Sequence, residues 1–245
     1  MKSGSLMLFG SRARGDASAE SDVDLLLLSD RSRCRLVSRG RVNLSIYTPE
    51  FLLDLCRSGS LFAWHLRREG RPIRDHGGRL RTILEEFRPR RSYARERREA
   101  SLVGWCLSSP DARTADPRIV RACMLFALRT VVYSVLAERG EIKFSRAGVF
   151  AVLRDSRVDR LWKLKSAESL PDFAVLEFER ILMTYAGPPP PWAGAPWQRI
   201  SDHPNLPRLV SKKLSELRGQ RQALDSYAWC PRPAEPFDVS ALRLF

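Results

Sequence analysis

Apolar and polar residues alternate in short blocks over the first part of the chain, as they do in a small β-sheet. Segment 5–9 is apolar and short enough for a strand, and a second apolar run follows Asp24. Segment 42–47 alternates apolar and polar residues with a period of two, which is typical of a half-buried strand. From about residue 80 onward the apolar positions recur with helical spacing. The pattern therefore predicts a small mixed sheet followed by helices.

Helix signals become strong in the second part of the chain. Segment 119–136 is apolar on nearly every face, so we expect it in the middle of a helical bundle. Amphipathic helices are predicted over 146–154 and 171–185, and the proline run at 188–191 indicates a stiff spacer. A last, basic helix is expected over 207–223.

These elements predict an α+β fold in three parts. Residues 1–80 form a sheet domain, residues 81–187 form a helical bundle, and residues 188–245 hold the Pro-rich spacer, the basic helix and a C-terminal tail. A chain of 245 residues with a hydrophobic fraction of 44% has enough apolar side chains to bury a core in each domain.

Two small motifs stand where the first predicted strand ends and the second begins. Gly10 and Ser11 end the first strand; a glycine at such a turn lets the backbone approach a phosphate, and serine adds a hydroxyl donor. Asp22 and Asp24 begin the second strand, and side chains two residues apart on a strand share one face. Adjacent carboxylates repel one another unless a cation lies between them, and Mg²⁺ binds carboxylate and phosphate oxygens together. The motifs therefore predict a site for phosphate and Mg²⁺.

In this order the motifs resemble the DNA polymerase β-type nucleotidyltransferase superfamily, in its minimal and aminoglycoside-modifying branches. The family pattern is Gly-Ser, a second glycine a few residues later, and then Asp-x-Asp at the start of a strand. Five residues match it, namely Gly10, Ser11, Gly15, Asp22 and Asp24. Helical second domains are common in the aminoglycoside nucleotidyltransferases and in their toxin–antitoxin relatives. The resemblance therefore implies a nucleotidyltransferase domain in front of the helical domain.

The resemblance also implies a reaction. The enzyme would transfer a nucleoside monophosphate from a nucleoside triphosphate (NTP) to a hydroxyl group of an RNA end, a protein or a small molecule, with two Mg²⁺ ions as cofactor. The implied catalytic and metal-binding residues are Asp22 and Asp24, and the implied nucleotide-binding residues are Gly10, Ser11, Arg14 and Gly15. Arg12 or Arg14 would offset charge on the departing pyrophosphate, with Arg14 favoured.

The family has a third carboxylate on a later strand, and this chain departs from that pattern. Segment 42–47 is the best strand for it, but its polar positions are Asn43, Ser45 and Tyr47. Period-two alternation places these three on one face and the apolar residues of the strand in the core. Asn43 is closest in size to aspartate, so we predict that it lies beside the aspartates and ligates metal. An amide can ligate Mg²⁺ but cannot act as a general base.

Three explanations for the missing carboxylate stay open. Glu50 or Asp54, just past the strand, would reach the site. A carboxylate of the helical domain would serve instead, with Glu138, Glu141 and Asp155 as candidates. In the third explanation, the chain is a catalytically weakened nucleotide-binding or regulatory protein, such as a toxin–antitoxin or defence component.

A softer resemblance covers segment 59–70, which is similar to sequence that follows the sheet in bacterial nucleotidyltransferases. His65 lies within this segment, in an apolar predicted helix. We expect such a histidine to be a core residue rather than a metal ligand.

The charge of the chain indicates an acidic binding partner. The formal net charge is +14, with 42 basic and 28 acidic residues. An NTP substrate, RNA or an acidic protein partner would each explain this excess, and the alternative is a solvated, highly charged surface that binds no such partner. Segment 88–98 holds six arginines and one glutamate, so we predict that it contacts nucleic acid or an acidic partner, the alternative being a solvated helix entry.

The five cysteines are widely spaced and form no Cys-x-x-Cys pair, which argues against a disulfide framework and a zinc site. No signal-peptide pattern is evident, and the apolar runs fall short of the roughly 18 residues of a membrane span. We therefore expect a cytoplasmic protein that makes no membrane contact. The sequence carries no signal for an oligomeric state.

Overall fold

The computed structural model describes residues 4–30, 34–167 and 169–219. Two compact units divide between residues 90 and 91, which is later than the predicted boundary at 80 and 81. The difference arises because helix α4 (Arg79–Glu85) packs with the sheet unit through buried Leu80 and Ile83. The end of the predicted basic helix and the C-terminal tail lie outside the described residues.

The first unit is built on one mixed five-stranded sheet, as predicted. Its strands are β1 (Ser5–Phe9), β2 (Val23–Leu28), β3 (Arg35–Arg39), β4 (Val42–Tyr47) and β5 (Arg71–Arg74). Their spatial order is β3-β4-β2-β1-β5, with β2 and β4 parallel and the other pairs antiparallel. Strand β2 is central, so in the register of the sheet Asp24 lies opposite Phe9 on one side and Asn43 on the other.

One face of the sheet holds a core cluster of Leu25, Leu44 and Ile46. These are alternate residues of β2 and β4, as the period of two predicts. Partly buried apolar residues from four strands pack around them: Leu6, Leu8, Val23, Leu27 and Val37. Because Val23 and Leu25 point to this face, Asp24 points to the opposite one.

The opposite face of β4 is buried as well, and the expectation of a half-buried strand is wrong at this point. Tyr47 is 1% exposed, with its ring 5.0 Å from that of Phe51 and 5.7 Å from that of Phe62. Phe51 and Phe62 belong to the two helices that cover this face, α2 (Pro49–Arg57) and α3 (Leu61–Glu69). Val42, predicted in the core, is 38% exposed because it begins the strand.

The second unit consists of helices, as predicted. Its helices are α5 (Ala94–Trp105), α6 (Pro117–Glu138), α7 (Arg146–Leu153), α8 (Ser156–Lys163), α9 (Phe173–Tyr185), α10 (Trp197–Ser201) and α11 (Arg208–Leu217). Helix α6 contacts α5, α8, α9 and α11, which makes it the central helix of the bundle. By length and composition α6 is apolar enough to cross a membrane, contrary to the expectation from sequence, but 72% of that stretch is buried among its neighbours.

Two candidates for the missing carboxylate hold the helices of the second unit together. The Glu138 carboxylate accepts hydrogen bonds from the Tyr93 backbone N–H at 2.6 Å and from Arg97 Nη1 at 2.7 Å. Burial raises the pKa of Glu138, but these donors outweigh it and lower the pKa overall. Asp155 caps α8 and accepts hydrogen bonds from Arg157 and from the Tyr185 hydroxyl.

We predict that Glu138→Gln lowers the free energy of unfolding by about 1–2 kcal/mol, because the variant loses charge-assisted hydrogen bonds at the start of α5. Denaturant unfolding measures the change, and Glu141→Gln, at an exposed position, is the matched control with little expected effect. Loss of Mg²⁺ binding in Glu138→Gln at unchanged stability would contradict this role and favour Glu138 as the third carboxylate.

Candidate active site

The turn between β1 and the short helix α1 (Gly10–Arg14) touches the carboxylate of Asp24. Gly10 has a φ of 77°, a left-handed conformation that side-chain-bearing residues rarely adopt. A Cβ atom at this position would lie 2.6 Å from Asp24 Oδ2. Glycine is therefore required twice here, for its backbone angle and for the close approach. The contact joins the two motifs, because it brings the Gly10-Ser11 turn against the first carboxylate of β2.

The loop between α1 and β2 is held by its own side chains. Gly15 ends α1 with a φ of 87°, and its N–H donates to the Ser11 carbonyl at 2.9 Å. Arg12 Nη2 donates to the Ser21 carbonyl at 2.9 Å, immediately before Asp22. Arg12 thus braces the backbone that leads into Asp22, which leaves Arg14 as the better candidate for a phosphate contact.

The structure places Asn43 beside Asp24, as the sequence predicts. Asn43 Nδ2 donates to Asp24 Oδ1 at 3.1 Å, and Asn43 Oδ1 accepts from the Ser38 hydroxyl at 2.8 Å. In this orientation the amide nitrogen of Asn43 faces Asp24, and an amide nitrogen of this kind does not bind a metal. Rotation of the amide by half a turn would present the oxygen instead, and the Ser38 hydroxyl can accept from the nitrogen as readily as it donates to the oxygen. Sequence reasoning missed Ser38, which lies opposite Asn43 on β3.

The strand register argues against Glu50 as the third carboxylate, whereas Asp54 stays a prediction. Strands β2 and β4 run parallel, and Asn43 lies at the same end of the sheet as Asp24. Glu50 follows Tyr47 at the other end of β4, roughly 13 Å away at about 3.3 Å of rise per residue. Asp54 lies farther along, on an exposed position of α2.

Arg14 is held by two carboxylates. Its Nη1 donates to Glu69 Oε2 at 2.6 Å, and its Nε lies 3.2 Å from both oxygens of Asp16. Burial lowers the pKa of Arg14, but the hydrogen bonds and charges of Glu69 and Asp16 outweigh it and raise the pKa above its ordinary value. The guanidinium is thus fully charged and fixed close to the turn.

His65 is a core residue, as expected, and it also contacts the residue that holds Arg14. The imidazole is 7% exposed, its ring centroid is 5.6 Å from that of Phe9, and its Nε2 lies 2.8 Å from Glu69 Oε2. Burial lowers the pKa of His65, against an opposing effect of Glu69. Burial therefore favours the neutral form of the ring. Sequence reasoning missed Glu69, although its spacing of four residues from His65 on α3 was a visible signal.

The chemistry of Asp24 and Asn43 suits Mg²⁺. Asp24 offers carboxylate oxygens, and Asn43 would add its amide oxygen after the rotation described above. Oxygen atoms are the ligands that Mg²⁺ prefers, and Asp22 is the third donor that the sequence predicts. The Gly10 backbone leaves open exactly the space that a side chain would take from Asp24. No set of three His, Cys, Asp or Glu side chains suited to a metal occurs among residues 4–30, 34–167 and 169–219. The two Mg²⁺ ions implied by the resemblance stay a prediction.

We predict that Gly10→Ala disturbs Asp24 beyond the effect on the backbone. Gly15→Ala is the matched control, because Gly15 also has a positive φ but a Cβ there would meet nothing within 4 Å. Both variants should lose about 1 kcal/mol of unfolding free energy to backbone strain. Only Gly10→Ala should also weaken Mg²⁺ binding, measured by titration calorimetry. Equal metal affinities in the two variants would show that the contact with Asp24 does not matter.

Comparison with known proteins agrees with this geometry. A family profile described as nucleotidyltransferase domain matches residues 2–90. A search of curated proteins gives no match. A crystal structure of a nucleotidyltransferase-like protein from Exiguobacterium sibiricum 255-15 is 16% identical, with a TM-score of 0.32 over 90% of this chain and 75% of that chain. A TM-score this low carries no argument, so the assignment depends on the family profile and on the site. Residues 2–90, which coincide with the first unit, match the nucleotidyltransferase domain family.

Proposed function

We propose that this protein transfers a nucleoside monophosphate from an NTP to a hydroxyl group, with Mg²⁺ as cofactor. The observation that carries the proposal is the contact between Gly10 and the Asp24 carboxylate. It brings a backbone turn suited to phosphate against a carboxylate suited to the metal of a metal–NTP complex. We also propose a cytoplasmic location, since the five cysteines of the sequence are widely spaced and form no Cys-x-x-Cys pair.

Each residue of the site has a distinct part in this reaction. Asp22, Asp24 and the amide oxygen of Asn43 would hold Mg²⁺, which when bound neutralises phosphate charge and makes the α-phosphate a better electrophile. The hydroxyl of Ser11 and the backbone of the turn bind the triphosphate. Arg14 offsets the negative charge that grows on pyrophosphate as it leaves.

Asp24 and Asn43 do not supply a dedicated base for the acceptor hydroxyl in this proposal. Asn43 occupies the position of the family's third carboxylate, and an amide takes up no proton near neutral pH. General-base catalysis typically contributes about 10²–10⁴-fold to a rate. We therefore expect slow transfer. The alternative function, a nucleotide-binding or regulatory protein with weakened catalysis, is favoured by this same residue.

An RNA end is the acceptor that we favour. The net charge of +14 suits a polyanion, whereas a polycationic aminoglycoside would be repelled. In segment 91–98 of the second unit, Arg97 pairs with Glu138 and Arg95 pairs with Glu99 at 3.0 Å. Arg91 and Arg98 are exposed and remain available for phosphate contacts. An acidic protein partner would use the same charges.

Asp24→Asn should abolish Mg²⁺-dependent transfer. The substitution removes one charge from the metal site, and loss of several kcal/mol of transition-state stabilisation lowers the rate by more than about 100-fold. The assay follows label from each of four α-³²P NTPs into total RNA, and into the protein itself when RNA is omitted. Asp54→Asn, on an exposed position of α2, is the control. Transfer by Asp24→Asn at the wild-type rate would disprove the proposal.

The Asn43→Asp variant should distinguish the two proposed functions, nucleotidyl transfer and nucleotide binding with weakened catalysis. Without metal, a carboxylate about 3 Å from that of Asp24 is repelled, so the melting temperature should fall below that of wild type. Added Mg²⁺ should restore it and raise or create transfer activity. Asn43→Ala is the control, since it removes the amide without adding charge. If Mg²⁺ does not change the melting temperature of the Asn43→Asp variant, residue 43 lies outside the metal site.

A further inference from the structure

The two carboxylates on Arg14 differ in burial. The Glu69 side chain is 11% exposed, whereas the Asp16 side chain is 44% exposed. Each contacts a different nitrogen of the guanidinium, Nη1 for Glu69 and Nε for Asp16. The guanidinium is therefore bound on one side by a buried acid and on the other by an acid in contact with solvent.

Glu69 is a fixed point of the first unit. It is the last residue of α3, and its Oε2 receives both Arg14 Nη1 at 2.6 Å and His65 Nε2 at 2.8 Å. The next residue, Gly70, packs so closely on β1 that a Cβ there would overlap the Met7 sulfur. The end of α3 is thus set against β1, and a carboxylate with two buried donors has no room to leave. Arg14 consequently keeps its Nη1 partner whatever binds at the site.

Asp16 is a removable partner. It follows Gly15 in the loop after α1, and its carboxylate lies 3.2 Å from Arg14 Nε. An exposed ion pair of this kind is worth little, because both ions are well solvated when apart. A phosphate group binds guanidinium more strongly than a carboxylate does, since it carries more charge and matches the planar fork of donors. Phosphate would therefore displace Asp16 and leave Glu69 in place.

We propose that Glu69 is a positioning residue that holds the Arg14 guanidinium for the triphosphate, and that Asp16 is an internal competitor for the same guanidinium. This inference rests on the proposed function, because it takes the ligand of Arg14 to be the phosphate chain of an NTP. The inference predicts that Glu69 and Asp16, which both contact Arg14, have opposite effects on the affinity for the triphosphate. A purely structural role for both acids would change stability and leave affinity alone.

The experiment measures the affinity of the full-length protein for each Mg–NTP and for inorganic tripolyphosphate, by titration calorimetry. Glu69→Gln should weaken binding about 10-fold, because Arg14 loses its anchor. Asp16→Asn should tighten binding about 3-fold, because the competing charge is gone. In an Arg14→Gln background both effects should vanish, since each acts through the guanidinium.

Three results would overturn the inference. They are a weaker affinity in Asp16→Asn, an unchanged affinity in Glu69→Gln, and effects that persist without Arg14. Should Glu69→Gln fail to fold, Glu69→Asp takes its place, and the sign of the Asp16→Asn effect is a test in either case. If the wild type transfers nucleotide but Glu69→Gln and Asp16→Asn bind Mg–NTP and tripolyphosphate with wild-type affinity, this inference is refuted and the proposed function is not. Tripolyphosphate binding with the predicted signs but no transfer would refute only the proposed reaction.

Discussion

The position of β2 between β1 and β4 is the constraint on which the site depends. A central strand has a neighbour on each side, so Asp24 faces Phe9 across one ladder and Asn43 across the other. Because β1 continues into the Gly10 turn, the same pairing brings the turn onto the Asp24 carboxylate. A shift of one residue in the β1–β2 register would turn Asp24 to the other face and separate the two motifs.

Burial of the site raises an electrostatic problem that the fold solves with alternating charges. Asp24 lies close enough to His65 to affect its charge, and His65 contacts Glu69, which in turn holds Arg14. The neutral imidazole of His65 thus lies between the two acids, and Glu69 contacts the guanidinium, so that like charges are not in contact. The imidazole stays neutral because burial penalises its charged form. This arrangement keeps the fully charged Arg14 near the Gly10-Ser11 turn at a small electrostatic cost.

Asn43 links the geometry of the site to its expected rate. Its hydrogen bond to Asp24 stabilises the carboxylate where the family's additional acid would repel it. In the proposed reaction an amide at this position removes the repulsion between two acids and also removes a group that would receive the proton of the acceptor. The proposal therefore treats nucleotide binding and nucleotide turnover as separable properties.

The sequence by itself determined the strands, the turn and the pair of aspartates that the proposed function uses. Local rules suffice for these: alternation marks β4, glycine marks the turn after Phe9, and two aspartates two residues apart must share a face. The sequence also predicted Asn43 beside Asp24, from the alternation along its strand and from the place of the third carboxylate in the family that the motifs resemble. Tertiary structure alone decided the partners that lie far apart along the chain. Glu69 reaches Arg14 over 55 residues of sequence, and even the nearby Ser38 meets Asn43 only because β3 and β4 pair. It also decided against Glu50, since strand direction puts that residue at the wrong end of the sheet. Side-chain periodicity describes one element at a time, whereas these contacts depend on how separate elements pack.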